Sequence, residues 1–263
     1  VVVIAPLLAA VSCAARAPFV PPVGPGAPAP HASSAWAGAS AACRALSSYR
    51  AELGLTGQIG VERIRGLASA RVNTAITSGG AVGLEAIVSG QWVFRLAGTT
   101  ESAVLLLRDP VRVVTAPPDQ ILDALVGVAL GPPRLLAIFG GCISRGETVE
   151  SAAAHDGLTA IVVGDARLFL HQPAGAWRVR AGWFGDVAVE YFAFENDLPR
   201  DIVVRSTRPD GPAVRLELRI RQALVNTDVP SAAFQVNVPP DAVRLSVDEL
   251  RETGPLVGDT AVR

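Results

Sequence analysis

Few residues in this 263-residue chain could do covalent or metal chemistry. Three cysteines occur, at Cys13, Cys43 and Cys142, and three histidines, at His31, His155 and His171. A cysteine nucleophile needs a base that holds it as thiolate, and a zinc site needs clustered Cys and His ligands. The spacings here supply neither. The stretch Phe139-Gly140-Gly141-Cys142-Ile143-Ser144 lacks the Gly-x-Ser-x-Gly order of a hydrolase elbow, and no glycine-rich phosphate loop occurs. His155-Asp156 suits a turn, and His171, after Phe169 and Leu170, suits the rim at a strand end. Glu190, Glu195 and Asp197 lie among charged turn residues and read as a solvated face. The expectation is a chain with no catalytic residue, no metal and no cofactor.

The cysteines differ in their surroundings. Residues 1–11 are uncharged and apolar apart from Pro6. That run is too short to cross a bilayer, which takes about 20 residues, and it fits the apolar region of a secretory signal. Ala10-Val11-Ser12-Cys13 resembles a bacterial lipobox, in which the cysteine is lipidated and becomes the first residue of the mature chain. The alternative is an ordinary cleaved signal that contains a cysteine. On the first reading, residues 1–12 are the signal and residues 13–34 are a lipid-bearing cysteine with a Pro/Ala-rich tether. Pro18, Pro21, Pro22, Pro25, Pro28 and Pro30 bar helix and sheet ladder, so the tether stays extended. Ala14 and Ala15 follow the cysteine, with no Asp, which favours the outer membrane, facing the periplasm. Export places the chain in an oxidising compartment. With Cys13 taken up by lipid, Cys43 and Cys142 are left to pair as a disulfide; two buried free thiols are the other outcome.

The rest of the chain must position a core. Half of the residues are hydrophobic and 18% are charged, too apolar a mixture for disorder. The net charge of −1 offers phosphates no attraction, so nucleic acid is not an expected partner. Trp36, Ala39, Cys43, Leu46 and Arg50 recur at helical spacing and predict a helix over 33–53. Beyond it, apolar residues alternate with charged ones. The clearest case sets Val214, Leu216, Leu218 and Ile220 against Arg215, Glu217, Arg219 and Arg221. Such alternation marks an antiparallel sheet with one wet face. Pro117-Pro118 opens one short helix, and Gly140-Gly141 closes a second that begins after Gly131-Pro132-Pro133. The prediction is a mainly β chain with helices (α+β), of about eleven strands, in which an N-terminal helix and a helical hairpin cover the apolar face. Only 5% of residues are aromatic, so three short helices fill that space loosely and leave an aliphatic cavity. Parity places Leu84, Phe94, Leu96, Trp177, Trp183, Leu216 and Leu218 on its concave side, capped by Leu125, Leu135 and Phe139.

From about Ala41 to Leu256 the chain resembles the LolA/LolB-like superfamily of periplasmic lipoprotein carriers and outer-membrane receptors. The resemblance is carried by Ala42-Cys43-Arg44 with Ala51-Glu52-Leu53, by Leu105-Leu106-Leu107-Arg108-Asp109, by Ile121-Leu122-Asp123-Ala124-Leu125-Val126-Gly127 and by Gly141-Cys142. It implies a half-open antiparallel β-barrel over residues 35–256, lidded by helices, with 257–263 as a tail. It further implies a cavity that holds acyl chains, and lipids or lipoproteins as partners, with a periplasmic carrier protein as a further candidate. The stretch 87–92 corresponds to a membrane-facing loop and would present Val88 and Trp92. The competing function on the same fold is a non-transporting envelope lipoprotein whose sheet docks another protein.

Overall fold

A computed structural model describes residues 17–75, 79–88, 90–108, 110–146 and 148–253. Cys13 and the signal lie outside the described residues. The structure begins with an extended segment and then helix α1 (Ala32–Arg44), so the boundary drawn at residue 35 falls inside that helix. Strands β1 (Ser48–Ile59) and β2 (Glu62–Asn73) then form a hairpin paired along its whole length. The helix predicted over 33–53 therefore ends nine residues early, and its last part is strand. Tyr49, Ala51 and Leu53 are buried while Arg50 and Glu52 are exposed, a period of two that helical spacing through Arg50 had masked. As strand, this stretch gains ladders on both sides; as helix it would have turned Arg50 inward.

The chain continues as β3 (Ala81–Val88), β4 (Gln91–Thr99), β5 (Ala103–Leu107) and β6 (Arg112–Ala116). The helical hairpin follows as α2 (Pro118–Val126) and α3 (Pro132–Phe139). Next come β7 (Ser151–His155), β8 (Leu158–Val163), β9 (Ala166–His171), β10 (Arg178–Phe184), β11 (Val187–Glu195), β12 (Leu198–Ser206) and β13 (Val214–Val225). The short β14 (Val243–Leu245) and α4 (Val247–Thr253) complete the described residues. The fourteen strands of the described residues make one sheet, ordered β14-β6-β5-β4-β3-β2-β1-β13-β12-β11-β10-β9-β8-β7. The sheet is not closed, and it is mixed, because β14 runs parallel to β6. The strand number and the parallel β14 correct the expected half-open antiparallel barrel of about eleven strands. Ser151-Ala-Ala-Ala-His155 has no apolar alternation, and β14 has three residues, too few for a pattern.

One hydrophobic core fills the concave side, where α1 lies over β9 and β10, α2 over β4 to β6, and α3 over β1 and β2. Pro at the start of α2 supplies a preset φ, and Gly127, with φ 68°, ends it by donating its N–H to the Asp123 carbonyl. Helix α3 is pinned from three directions. Cys142, just beyond it, is bonded to Cys43 of α1. The Tyr191 hydroxyl donates to the Ile138 carbonyl at 2.9 Å, and full burial holds its pKa well above the usual phenol range. The Tyr49 ring stacks on Phe139 with centroids 5.0 Å apart. Among the described residues, no helix is long and apolar enough to cross a membrane.

A disulfide spanning 99 residues removes much of the denatured chain's freedom. A chain starting at residue 14, denatured without reductant, should show no titratable thiol. Replacing both cysteines by Ala should lower stability by about 2–5 kcal/mol in urea unfolding; free thiols in the native chain would contradict the pairing.

Candidate functional site

The lid and the sheet do not meet everywhere. Between α2 and α3 above and the concave face of β1 to β4, β12 and β13 below lies a cavity of about 150 Å³, and about 1040 Å³ of atom-free space with its open mouth included. Leu122 and Val126 of α2, Val128 and Leu130 of the connecting loop, and Leu135 and Phe139 of α3 form the roof. The floor carries Leu53, Leu55, Leu84, Phe94, Leu216 and Leu218. Charged and hydroxyl side chains on its border are Arg65, Ser69 and Glu85, and Glu85 is engaged by Arg95 at 3.0 Å.

The gap has a cause in the sequence. Along β2 the inward positions facing the lid are Gly66, Ala68 and Ala70, and Ala86 sits opposite Ala68 on β3. These are the smallest side chains available, so the roof has nothing to touch over that stretch. Gly66 is also required by backbone approach, since a Cβ there would lie 2.5 Å from the Ile87 carbonyl oxygen. The mouth follows from strand lengths. Pairing of β2 with β3 begins at Leu67, whereas residues 62–66 pair with β1 alone. The β1–β2 hairpin thus overshoots β3, and Val61 at its tip is 90% exposed, with Leu67 and Val88 exposed nearby.

Seven of the sequence-predicted residues come together here: Leu84, Phe94, Leu135, Phe139, Leu216, Leu218 and, at the mouth, Val88. Leu96 and Leu125 point inward but are buried in the core beside the cavity and do not line it. Trp177 is on the concave side under α1, 3.6 Å from where a Cβ on Gly38 would stand. Trp183 corrects the parity argument. The register of β9 and β10 shifts between Val179 and Ala181, so Gly182 and Phe184 face the core and Trp183 faces outward against Phe169 and Phe19. Trp92 pairs with Ile87, one residue from Val88, and so lies on the opposite, outer face, with the guanidinium groups of Arg95 and Arg108 at 5.0 and 5.9 Å from its ring.

The carboxylates are mixed. Asp197 and Glu195 are exposed and paired with Arg178 and Arg200. Glu190, expected on a solvated face, is instead 1% exposed on the outer side of β11, held by Arg205 and by the Phe19 N–H. Burial holds the His171 imidazole below its ordinary pKa, reinforced by Arg180 and Arg178. Among the described residues no group of three His, Cys, Asp or Glu could hold a metal. The signal that sequence reading missed was the run of small inward residues on β2, legible at period two once the hairpin is recognised.

No protein-family model matches the chain, and no curated protein sequence does. Solved structures do resemble it. A LolA superfamily protein from Nitrosomonas europaea superposes with TM-score 0.51 at 11% identity, over 77% of this chain and 96% of that one. A putative outer membrane lipoprotein-sorting protein domain from Vibrio parahaemolyticus gives TM-score 0.46 at 11% identity, covering 72% and 89%. A DUF1329 family protein from Desulfovibrio piger gives 0.49 at 7%, covering 77% and 96%. The fold is LolA-like. Its open sheet with a helical lid, and the cavity between them, match the architecture that the sequence resemblance implied.

Floor and core residues should respond differently to truncation. Leu96→Ala empties a filled position and should lower stability by about 2–5 kcal/mol. Leu218→Ala widens a space that already exists, so its loss should stay near 1 kcal/mol, the value for part of the transfer free energy alone. Urea unfolding of both variants measures the difference; equal losses would mean that Leu218 lies in a filled core.

Proposed function

We propose that the protein is a lipid-anchored envelope lipoprotein that binds an acyl chain, of a lipid or of a lipoprotein, in the cavity beneath α2 and α3. The observation that carries this reading is an aliphatic cavity, open at one end, on the concave face of an otherwise well-filled sheet. Apart from Arg65, Ser69 and Glu85 on its border the lining is apolar, and such walls select for CH₂ groups. The same reading attaches the mature chain through Cys13 to the outer membrane, on its periplasmic side, and assigns it no catalytic role.

Polar contacts add little to the hold on α2, which rests chiefly on the burial of Ile121, Leu122 and Leu125. Asp123 of α2 is held by Arg208 at 2.9 Å and by Arg251 of α4 at 3.3 Å, and both arginines are substantially exposed. Pairs of this kind contribute about 0–1 kcal/mol each. Helix α3, tied down by the disulfide and Tyr191, stays in place, so entry and release fall to α2 and its loop.

Each methylene moved from water into such a cavity contributes about 0.8 kcal/mol, which is roughly a fourfold gain in affinity. In a fluorescent fatty-acid displacement assay, Kd should fall about fourfold per added methylene and then level off when the cavity is full. Leu218→Trp should weaken binding at least tenfold while leaving the melting temperature nearly unchanged, because the ring occupies existing space. Absence of measurable binding by the native domain, together with severe destabilisation by Leu218→Trp, would leave the docking scaffold as the better account.

A further inference from the structure

We propose that residues 17–27 are a docked strap that holds the mouth of the cavity against the bilayer. This rests on the lipid-anchor reading of Cys13. The sequence alone treats this stretch as a free tether, yet it is bound at both ends. The Phe19 N–H donates to Glu190 Oε2 at 3.0 Å, in the middle of β11. The Phe19 ring fills a slot on the outer face of the sheet, with centroids 5.2 Å from Phe169 and 5.8 Å from Trp183 and the Arg180 guanidinium at 5.6 Å. At the other end, Ala27 and Ala154 exchange backbone hydrogen bonds of 2.8 and 2.7 Å, so the strap also covers part of edge strand β7.

Chemistry favours this docking. Glu190 is 1% exposed, and a carboxylate so far from water must have its oxygens satisfied. Arg205 supplies one partner and the Phe19 N–H another. Pro18, Pro21 and Pro22 flank Phe19 and hold the segment extended before it binds, which lowers the ordering entropy of docking.

The consequence is geometric. Six Cα-to-Cα steps join Cys13 to Phe19, a reach of at most about 21 Å, whereas an undocked tether running to His31 would have eighteen, or about 63 Å. Direction is set by the ladder. Glu190 shares a row across the sheet with Val203, Glu217, Thr56 and Arg65, and Arg65 borders the cavity. Glu190 stands three residues from the Val187 end of β11, which is the mouth side, and five from the Glu195 end, while Ala154 lies one row further from the mouth than the row that runs from Glu190 through Ala181, Phe169 and Ala160 to Ala153. The strap therefore crosses from β7 to β11 nearly perpendicular to the strands and docks Phe19 in the mouth-side half of β11. The mouth end carries the exposed Val61 and Val88, apolar contacts suited to a lipid surface.

Neutron reflectivity of the mature lipidated protein on a supported phosphatidylethanolamine/phosphatidylglycerol bilayer tests this, with hydrogen exchange of the Phe19 amide as a second readout. The native protein should form a narrow layer whose near edge lies within about 20 Å of the headgroups. Phe19→Ala leaves the cavity untouched; it should free the amide to exchange at least tenfold faster and move the layer outward and broaden it. A native layer as distant and diffuse as that of Phe19→Ala, or an unprotected native amide, would overturn the strap while leaving the anchor intact. A native protein not retained on the bilayer would overturn the anchor reading, and the strap's role with it.

Discussion

The concave face of the sheet is apolar from β14 across to β8, and that face has to be kept from water. Among the described residues four α-helices are available, and α1, α2 and α3 do most of the covering. Where inward residues are large, as at Leu96, Leu105 and Phe184, the cover is complete. Where β2 presents Gly66, Ala68 and Ala70, it is not, and the cavity exists there. The rest of the architecture can be understood as holding the cover over that gap. The disulfide, the Tyr191 hydrogen bond and the Tyr49–Phe139 stack fix α3 rigidly, while α2 is held at its polar edge by exposed ion pairs. The two halves of the roof are therefore held differently: α3 by a covalent bond and buried polar contacts, α2 by its buried Ile121, Leu122 and Leu125 together with those ion pairs.

The outer face obeys a different rule. It is rich in arginine, and aromatic rings there sit under guanidinium groups, as Trp92 does under Arg95 and Phe192 under Arg180. Guanidinium stacks well on aromatic rings and remains hydrated at its edges, so both groups tolerate a half-exposed position. Glu190 is the exception that needs a cover, and the chain supplies one from its own N-terminal segment.

Much of this was legible in the sequence. Charge alternation in β13 placed Leu216 and Leu218 on the cavity side, proline and glycine punctuation marked the helical hairpin, and cysteine arithmetic paired Cys43 with Cys142. The failures share a physical origin in contacts that local pattern does not encode. Trp183 was misplaced because one bulged residue inverts strand parity; Gly182 and Gly185 permit a bulge in this run, but pairing with β9 decides that it falls at Arg180. Arg50 fitted a helical period by coincidence, and pairing with two neighbouring strands decided otherwise. Glu190 is buried by a segment 171 residues away, a separation that no window along the chain can sense. Leu96 and Leu84 lie opposite each other and face the same side, and only the distance to the lid makes one core and the other cavity wall.

The claim on which the account turns is that the space above Ala68 and Ala70 is a binding site and not a packing defect. Mass spectrometry of solvent extracts from the purified native protein tests it most directly, beside a variant in which Ala68→Leu and Ala70→Leu fill the gap. The account predicts acyl lipid co-purifying with the native protein in a fixed molar ratio, and its loss from a filled variant that is folded and at least as stable. An extract free of acyl lipid from native protein that also takes up none from vesicles, or equal lipid in both proteins, would contradict it.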